Sequence, residues 1–166
     1  AASAVLFALG ESPRLLERIR TSSIPEGRGN RISCGHVSLI DDSYNANPDS
    51  MRAALEVLSR SPGGRRIAVL GDMLELGEDS TNYHRELNAH MNGVDGVVCV
   101  GKQMKALEAC LDPERRLNHF ERADQGLIDY LLSATQAGDV LLVKGSRGIF
   151  WSQGFVASLK DAFDEA

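Results

Sequence analysis

The run from Asp41 to Met51, DDSYNANPDSM, carries several side chains that can form hydrogen bonds. It follows an alternating apolar segment, and Pro48 occupies a position typical of the first turn of a helix. In α/β proteins, ligands bind in loops outside the carboxyl ends of the strands. We therefore predict a binding site in this turn. Asp42, at the strand end, could accept hydrogen bonds from ribose hydroxyls, or it could cap the turn or the helix.

A second candidate is the loop KGSRG from Lys144 to Gly148, which joins two cations and a hydroxyl ahead of a helical segment. Exposed amides and cations favour anions, so this loop could contact a carboxylate or a phosphate. An ordinary glycine-rich turn with solvated Lys144 and Arg147 is the alternative. Arg28, between two glycines, could likewise reach a phosphate or be solvated. The ATPase pattern GxxxxGK[ST] does not occur in the chain.

The acidic loop over residues 71–79, GDMLELGED, is a third candidate. Its carboxylates, from Asp72, Glu75, Glu78 and Asp79, could bind a cation or an ammonium group, or the loop could simply be solvated. The spacing does not match a calcium loop. The four histidines include no HxxxH pair, so we expect no metal site.

The elements that must position these loops alternate along the chain. A hairpin is predicted around Gly35-His36, where glycine at the first turn position suits a type II′ turn. The sequence then predicts strands and helices in alternation, which indicates a mostly parallel sheet covered on both faces. The predicted strands cover residues 67–70, 96–100, 118–121 and 140–143, and the helices residues 49–58, 80–91, 102–111, 123–133 and 150–163. Because loops that follow parallel strands share one edge, we expect the three candidates to converge.

The length, charge and cysteine content of the chain argue against several classes of protein. The chain has 166 residues, about the size of one domain, with a formal net charge of −5. A net negative charge argues against a general binder of nucleic acids or anionic membranes. No apolar run approaches the roughly 20 residues of a membrane-spanning helix. Three widely spaced cysteines without a CxxC pair suggest reduced thiols in a cytoplasmic protein.

The first residues read as two helices, separated by Gly10 and followed by a breaker-rich linker at 22–30. The chain begins inside an apolar helical pattern without a methionine or a cap. We therefore expect a fragment of a longer polypeptide. We also expect these helices to expose apolar surface if their native partners are missing.

Four segments together resemble the C-terminal part of the Mur ligases of peptidoglycan synthesis. Within that family, they resemble the ligases that add D-alanyl-D-alanine to UDP-N-acetylmuramoyl-tripeptide. In family order the segments are Pro25–Gly29, Asp41–Met51, Gly71–Gly77 and Val143–Arg147. His84 also occupies a position where the family often has a histidine.

The resemblance implies a fold and a domain boundary. The C-terminal domain of these enzymes is an α/β, Rossmann-like, three-layer domain with a mostly parallel sheet, which here would follow a β-hairpin. Residues 23–166 would form this domain. Residues 1–22 would be a helical remnant of the central ATPase domain, which carries the phosphate-binding loop and the Mg²⁺ sites.

The resemblance also implies roles for nine residues. ATP would be bound by Arg28, Asp42, Tyr44, Asn45 and Asn47. The acceptor D-alanyl-D-alanine would be bound near Asp72, Lys144, Ser146 and Arg147. No catalytic residue or metal ligand would lie on this chain, because Mg²⁺ and the UDP-N-acetylmuramoyl-tripeptide would be held by the other domains. The chain alone would then be inactive, and we expect a monomer.

A different class of function stays open at this point. A stand-alone Rossmann-like module could hold a nucleotide without catalysis, and it would bind its ligand tightly by itself. A dinucleotide oxidoreductase fits poorly, because no GxGxxG follows the first strand.

Overall fold

The computed structural model describes residues 25–166, which form a six-stranded sheet with helices on both faces. The helices predicted for residues 1–22, and the boundary near residue 22, lie outside the described residues. The strand order is β1-β2-β6-β3-β4-β5. The strands are β1 (Asn30–Cys34), β2 (Val37–Asp42), β3 (Arg66–Gly71), β4 (Gly96–Val100), β5 (Arg116–Phe120) and β6 (Val140–Lys144).

Five α-helices connect or follow these strands. They are α1 (Pro48–Ser59), α2 (Ser80–Glu86), α3 (Lys105–Glu108), α4 (Gln125–Ala134) and α5 (Phe155–Glu165). Short 3₁₀ turns cover Gly77–Asp79, Leu87–His90 and Trp151–Gln153. None of the helices in the described part of the chain has the length and apolar character needed to cross a bilayer.

The alternation of side chains along the strands divides the core into two layers. On one face, Ala68 and Leu70 of β3 pack with Leu55 of α1. On the other face, Val69 of β3 packs with Leu159 of α5. The α/β, three-layer architecture predicted from the sequence is confirmed.

The predicted hairpin is also confirmed. β1 pairs with β2 antiparallel around Gly35 and His36, and every other pairing in the sheet is parallel. Gly35 has φ 50°, whereas His36 is not among the described residues with positive φ. This combination fits the type II′ turn expected for glycine at the first turn position.

Three predicted helices differ in extent from the observed ones. The helix expected over 80–91 becomes 3₁₀ after Glu86. The helix expected over 102–111 is α-helical only over Lys105–Glu108, and its last amides form i→i−3 bonds, such as Cys110 N to Leu107 O. The helix expected from Phe150 starts at Phe155, because Gly154 adopts the left-handed conformation with φ 63°.

The three cysteines are free thiols. Cys34 and Cys99 are buried, and Cys110 is partly exposed. Burial, with smaller effects from the nearby carboxylates Glu108 and Asp72, raises the pKa of Cys99 to about 12. The Cys99 thiol is therefore protonated at neutral pH and unreactive.

Gly35 offers a test of the hairpin turn. A Cβ at this position would lie 2.1 Å from the carbonyl oxygen of Phe163 in α5, and φ is positive. We expect Gly35→Ala to lower the free energy of unfolding by about 3 kcal/mol or more, from backbone strain plus overlap. The measurement is urea unfolding followed by circular dichroism.

Gly77→Ala is the matched control for this test. Gly77 also has positive φ, 65°, but nothing lies within 4 Å of a Cβ built there. It should lose only the strain component, about 1–2 kcal/mol. Equal losses of stability in the two variants would show that the overlap of the new Cβ with α5 has no measurable cost.

Candidate functional site

The three candidate loops converge at one edge of the sheet. β2, β6 and β3 are neighbours, so the loops that follow them lie side by side. A cleft of about 480 Å³ is bounded by residues from all three loops. Its lining comprises Tyr44, Asn45, Ala46, Asn47, Leu74, Glu75, Leu76, Ser146, Arg147 and Gly148. The predicted convergence is confirmed.

Lys144 and Asp42 form an ion pair at the base of these loops. They are register partners at the ends of β6 and β2. Lys144 Nζ lies 2.7 Å from Asp42 Oδ2 and donates a second bond of 3.0 Å to the carbonyl oxygen of Asn45. The Lys144 side chain is only 2% exposed, against 25% for Asp42. The ion pair thus links Lys144, which we expected near the acceptor, to Asp42, which we expected at the ribose.

Asp41, which sequence reasoning passed over, ties the segment before β1 to the end of β2. Its carboxylate is buried, and Oδ2 accepts a 3.1 Å bond from the Gly27 amide. Oδ1 accepts bonds from the amide and the hydroxyl of Ser43. The Tyr44 amide completes the link by donating to the Gly27 carbonyl at 3.0 Å. Period-two alternation could have found Asp41, since it shares a face with the core residue Leu39.

Two arginines meet on one aromatic ring. The guanidinium carbon of Arg28 lies 4.2 Å from the centre of the Tyr44 ring, and that of Arg147 lies 5.5 Å from it. Both side chains belong to exposed residues, and neither takes part in the ion pairs formed within residues 25–166. Trp151 packs edge-on against Tyr44 at 5.5 Å. Two cations without a carboxylate partner make this corner attractive to anions.

Gly27 allows this corner to close. A Cβ on Gly27 would lie 2.7 Å from the Trp151 ring and 3.1 Å from Tyr44 Cβ, and its φ is 73°. The glycine therefore lets the Arg28 segment pass directly beneath the aromatic pair.

The two asparagines of the β2–α1 loop have different surroundings. Asn47 is the N-cap of α1, and its Oδ1 accepts a 2.8 Å bond from the Ser50 amide. Ser50 Oγ accepts in return from the Asn47 amide at 3.0 Å, which completes a capping box. Asn45 belongs to the exposed residues and is fixed through its carbonyl oxygen, which leaves its side chain at the cleft. Asp42 caps neither the turn nor the helix; it pairs with Lys144.

Asp72 and Ser146 connect the loops after β3 and β6. Asp72 is buried, and its Oδ1 accepts bonds of 3.0 and 2.9 Å from the amides of Gln103 and Met104. The Ser146 amide donates to the Asp72 carbonyl oxygen at 2.9 Å, and the Ser146 hydroxyl oxygen accepts from the Leu74 amide at 2.8 Å. Both side chains are therefore occupied in holding the loops together.

Glu75 lies at the tip of the acidic loop and lines the cleft. It is the one non-glycine residue with positive φ in the described part of the chain, at 64°. Such a conformation costs on the order of 1–2 kcal/mol and persists only where the surrounding structure imposes it.

His84 anchors the other side of the acidic loop. The ring is fully buried, and Nε2 accepts a 2.9 Å bond from the Met73 amide. Nδ1 lies 2.7 Å from the carbonyl oxygen of Ser80, so this nitrogen carries the proton. Asp79 occupies the N-cap position of α2, and the hydroxyl of Ser80, the first residue of the helix, contacts Gln103.

We expect His84→Ala to destabilise the domain by about 2–4 kcal/mol, since it leaves the buried Met73 amide without a partner and opens a cavity. Unfolding in urea measures the loss. His90→Ala, an exposed position on the 3₁₀ turn after α2, is the control and should change stability by less than about 0.5 kcal/mol. A neutral His84→Ala would contradict the anchoring role.

Comparisons with known proteins agree with this geometry. A family model described as Mur ligase, glutamate ligase domain, matches residues 27–147. The UDP-N-acetylmuramoyl-tripeptide–D-alanyl-D-alanine ligase of Escherichia coli is 45% identical over 114 residues, which make up 66% of this chain and 24% of that protein. The ligase of the same name from Synechocystis is 32% identical over 152 residues, covering 90% of this chain and 34% of that protein.

Solved structures give the same picture. The MurF ligase of Thermotoga maritima, in complex with ADP, matches 99% of this chain with a TM-score of 0.81 and 26% identity, using 37% of its own length. MurF of Acinetobacter baumannii matches 95% with a TM-score of 0.80 and 30% identity, using 35% of its length. The chain spans about a third or less of the curated relatives described above. Since the family model covers most of the chain, the chain belongs to the Mur ligase family, where it corresponds to the glutamate ligase domain.

Proposed function

We propose that this chain is the C-terminal domain of an ATP-dependent ligase that adds D-alanyl-D-alanine to UDP-N-acetylmuramoyl-tripeptide. The domain would close over ATP and present the acceptor amine. The names of the relatives support this reaction, and the ADP bound to the Thermotoga maritima enzyme supports the nucleotide. The product would serve peptidoglycan synthesis in the cytoplasm, and through it cell shape and division.

The observation that carries the proposal is the pair of guanidinium groups on Tyr44. Arg28 comes from the segment before β1 and Arg147 from the loop after β6, yet both lie over the same ring. An anionic ligand at this corner would gain two charge-assisted contacts without breaking an ion pair of the described residues.

On the nucleotide side, Arg28 would contact the phosphates and Asp42 the ribose hydroxyls. Tyr44, Asn45 and Asn47 would line the adenine side. Asp42 suits this role, because one carboxylate oxygen is fixed by a lysine and the side chain retains a quarter of its exposure.

On the acceptor side, Arg147 is the cation that can reach a carboxylate directly, because its residue is exposed at the cleft. Asp72, Lys144 and Ser146 would lie near the dipeptide. Asp72 and Ser146 would act chiefly by holding the loops, since Asp72 Oδ1 and the Ser146 hydroxyl oxygen already accept hydrogen bonds from backbone amides.

The chemistry is amide formation through an acyl phosphate. A carboxylate oxygen of the tripeptide attacks the γ-phosphorus and ADP leaves. The amine nitrogen of the dipeptide then attacks the acyl carbon, phosphate leaves, and the nitrogen loses a proton. This domain would contribute positioning and neutralisation of charge, which dominate phosphoryl transfer. We assign Mg²⁺ to the central domain; residues 25–166 contain no group of three His, Cys, Asp or Glu side chains that could hold an ion.

The test is separate titration of the chain with ATP and with D-alanyl-D-alanine, followed by amide shifts in NMR spectra. Millimolar affinity, with shifts at Asp42–Asn47 for ATP and at Lys144–Arg147 for the dipeptide, is the expected result. Micromolar or tighter ATP binding would favour the stand-alone nucleotide module. The absence of shifts from either ligand would contradict a site on this domain.

Arginine variants should separate the two ligands. We expect Arg28→Ala to weaken ATP binding about tenfold or more, and Arg147→Ala to weaken dipeptide binding similarly, because each removes a charge-assisted contact of about 1.5–3 kcal/mol. Arg122→Ala is the control. It removes the same group from the exposed loop after β5, three strands away from β6, and it should leave both affinities unchanged.

The chain by itself should release no phosphate from ATP in the presence of Mg²⁺, the UDP-linked tripeptide and D-alanyl-D-alanine. The reason is that the resemblance assigns the phosphate-binding loop and the metal site to the central domain. A malachite-green assay and chromatography of the nucleotide-linked peptides would detect turnover. Product formation by the isolated chain would contradict the assignment of the phosphate-binding loop and the metal site to the central domain.

A further inference from the structure

Lys144 is the most deeply buried cation of the site. It is the last residue of β6 and one of the largest fully buried side chains of the domain. Its side chain is 2% exposed, and its ammonium group is held by a carboxylate and a carbonyl oxygen at 2.7 and 3.0 Å. To contact a ligand directly, this group would have to give up both partners, and the side chain exposes almost no surface from which to do so.

The two partners of Lys144 belong to the loop that carries the nucleotide-side residues. Asp42 ends β2, and the Asn45 carbonyl follows three residues later. Fixing both points determines the path of the turn between them, which presents Tyr44. The guanidinium carbon of Arg28 lies 4.2 Å from the centre of the Tyr44 ring, whereas that of Arg147 lies farther away, at 5.5 Å. The buried ammonium group of Lys144 therefore positions Tyr44 and, through it, Arg28.

The same ion pair sets the orientation of the Asp42 carboxylate. Oδ2 is taken by Lys144, while Oδ1 accepts no hydrogen bond among those of the described residues. The hydrogen bond from the ammonium group holds one of the two carboxylate oxygens in place. Asp42 is thereby left with one oxygen ready to accept from a hydroxyl of a ligand.

We propose that Lys144 is a positioning residue of the nucleotide subsite, which acts through Asp42 and the Asn45 carbonyl, and that it does not bind the acceptor. The inference rests on the proposed function and revises the part of it that the resemblance assigns to Lys144. Lys144 controls nucleotide affinity, whereas Arg147, three residues on and exposed, controls dipeptide affinity.

The experiment titrates ATP and D-alanyl-D-alanine separately into the wild-type chain and into Lys144→Met, using amide NMR. Methionine keeps the length of the side chain and removes its charge. The expected result is a loss of ATP affinity of tenfold or more, with dipeptide affinity within twofold of wild type. The amides of Tyr44–Asn47 should also shift and broaden without ligand, while those of the loop after β6 stay near their wild-type positions. Lys102→Met, at an exposed lysine outside the site, is the control and should change neither affinity.

A second variant covers the case in which Lys144→Met fails to fold, since it leaves Asp42 unpaired. The double variant Asp42→Asn/Lys144→Met removes both charges together. If Lys144 acts on the nucleotide subsite through Asp42 and the Asn45 carbonyl, the double variant binds ATP at least tenfold more weakly than the wild-type chain and keeps its dipeptide affinity within twofold. Unchanged ATP affinity, or loss of dipeptide binding, in the folded double variant would overturn the inference.

The remaining outcomes are decisive as well. Loss of dipeptide binding with ATP binding intact would make Lys144 an acceptor residue and overturn the inference, as would equal loss of both ligands in a folded variant. Unchanged ATP affinity in Lys144→Met would overturn it and leave the proposed function standing. A wild-type chain that binds neither ligand would overturn the proposed function and the inference together.

Discussion

Strand β6 is inserted between β2 and β3, and this pairing determines where every candidate group lies. Its five residues are buried, and it hydrogen-bonds to a parallel strand on each side. A shift of one residue in register would turn every side chain of β6 to the opposite face. Lys144 would then lose Asp42, and the apolar residues of β6 would exchange layers of the core. The packing of both faces therefore fixes the register that forms the ion pair.

At this edge of the sheet, the buried polar groups hold the loops, whereas the exposed cations are available to a ligand. Asp41, Asp72 and His84 have buried side chains, and their hydrogen bonds hold backbone amides of the neighbouring loops. Arg28 and Arg147 are exposed and have no carboxylate partner among the described residues. Such an arrangement pre-organises a site, because the groups that support the loops are satisfied while the cations remain available for an anion.

Most of the fold could be predicted from local patterns in the sequence. Alternating and continuous apolar runs located all six strands, and Gly35 located the hairpin turn. The ends of helices were harder to predict. Gly154 divides the last helix because of its left-handed backbone, and Asp72 draws the amides of Gln103 and Met104 into a tertiary contact ahead of a shortened helix. Both effects depend on backbone conformations or distant partners that apolar periodicity does not encode.

The sequence by itself determined the class of fold, the three loops that meet and the family. It did so because these depend on the periodicity of side chains and on contiguous motifs. The tertiary structure alone decided which charges are buried. Asp41 and Asp42 are adjacent, yet the first is buried and holds the segment before β1, while the second pairs with a lysine 102 residues away. Lys144 and Arg147 are three residues apart, yet the first is enclosed and the second is exposed. Burial depends on neighbours from remote parts of the chain, so residue type alone could not separate the supporting charges from the available ones.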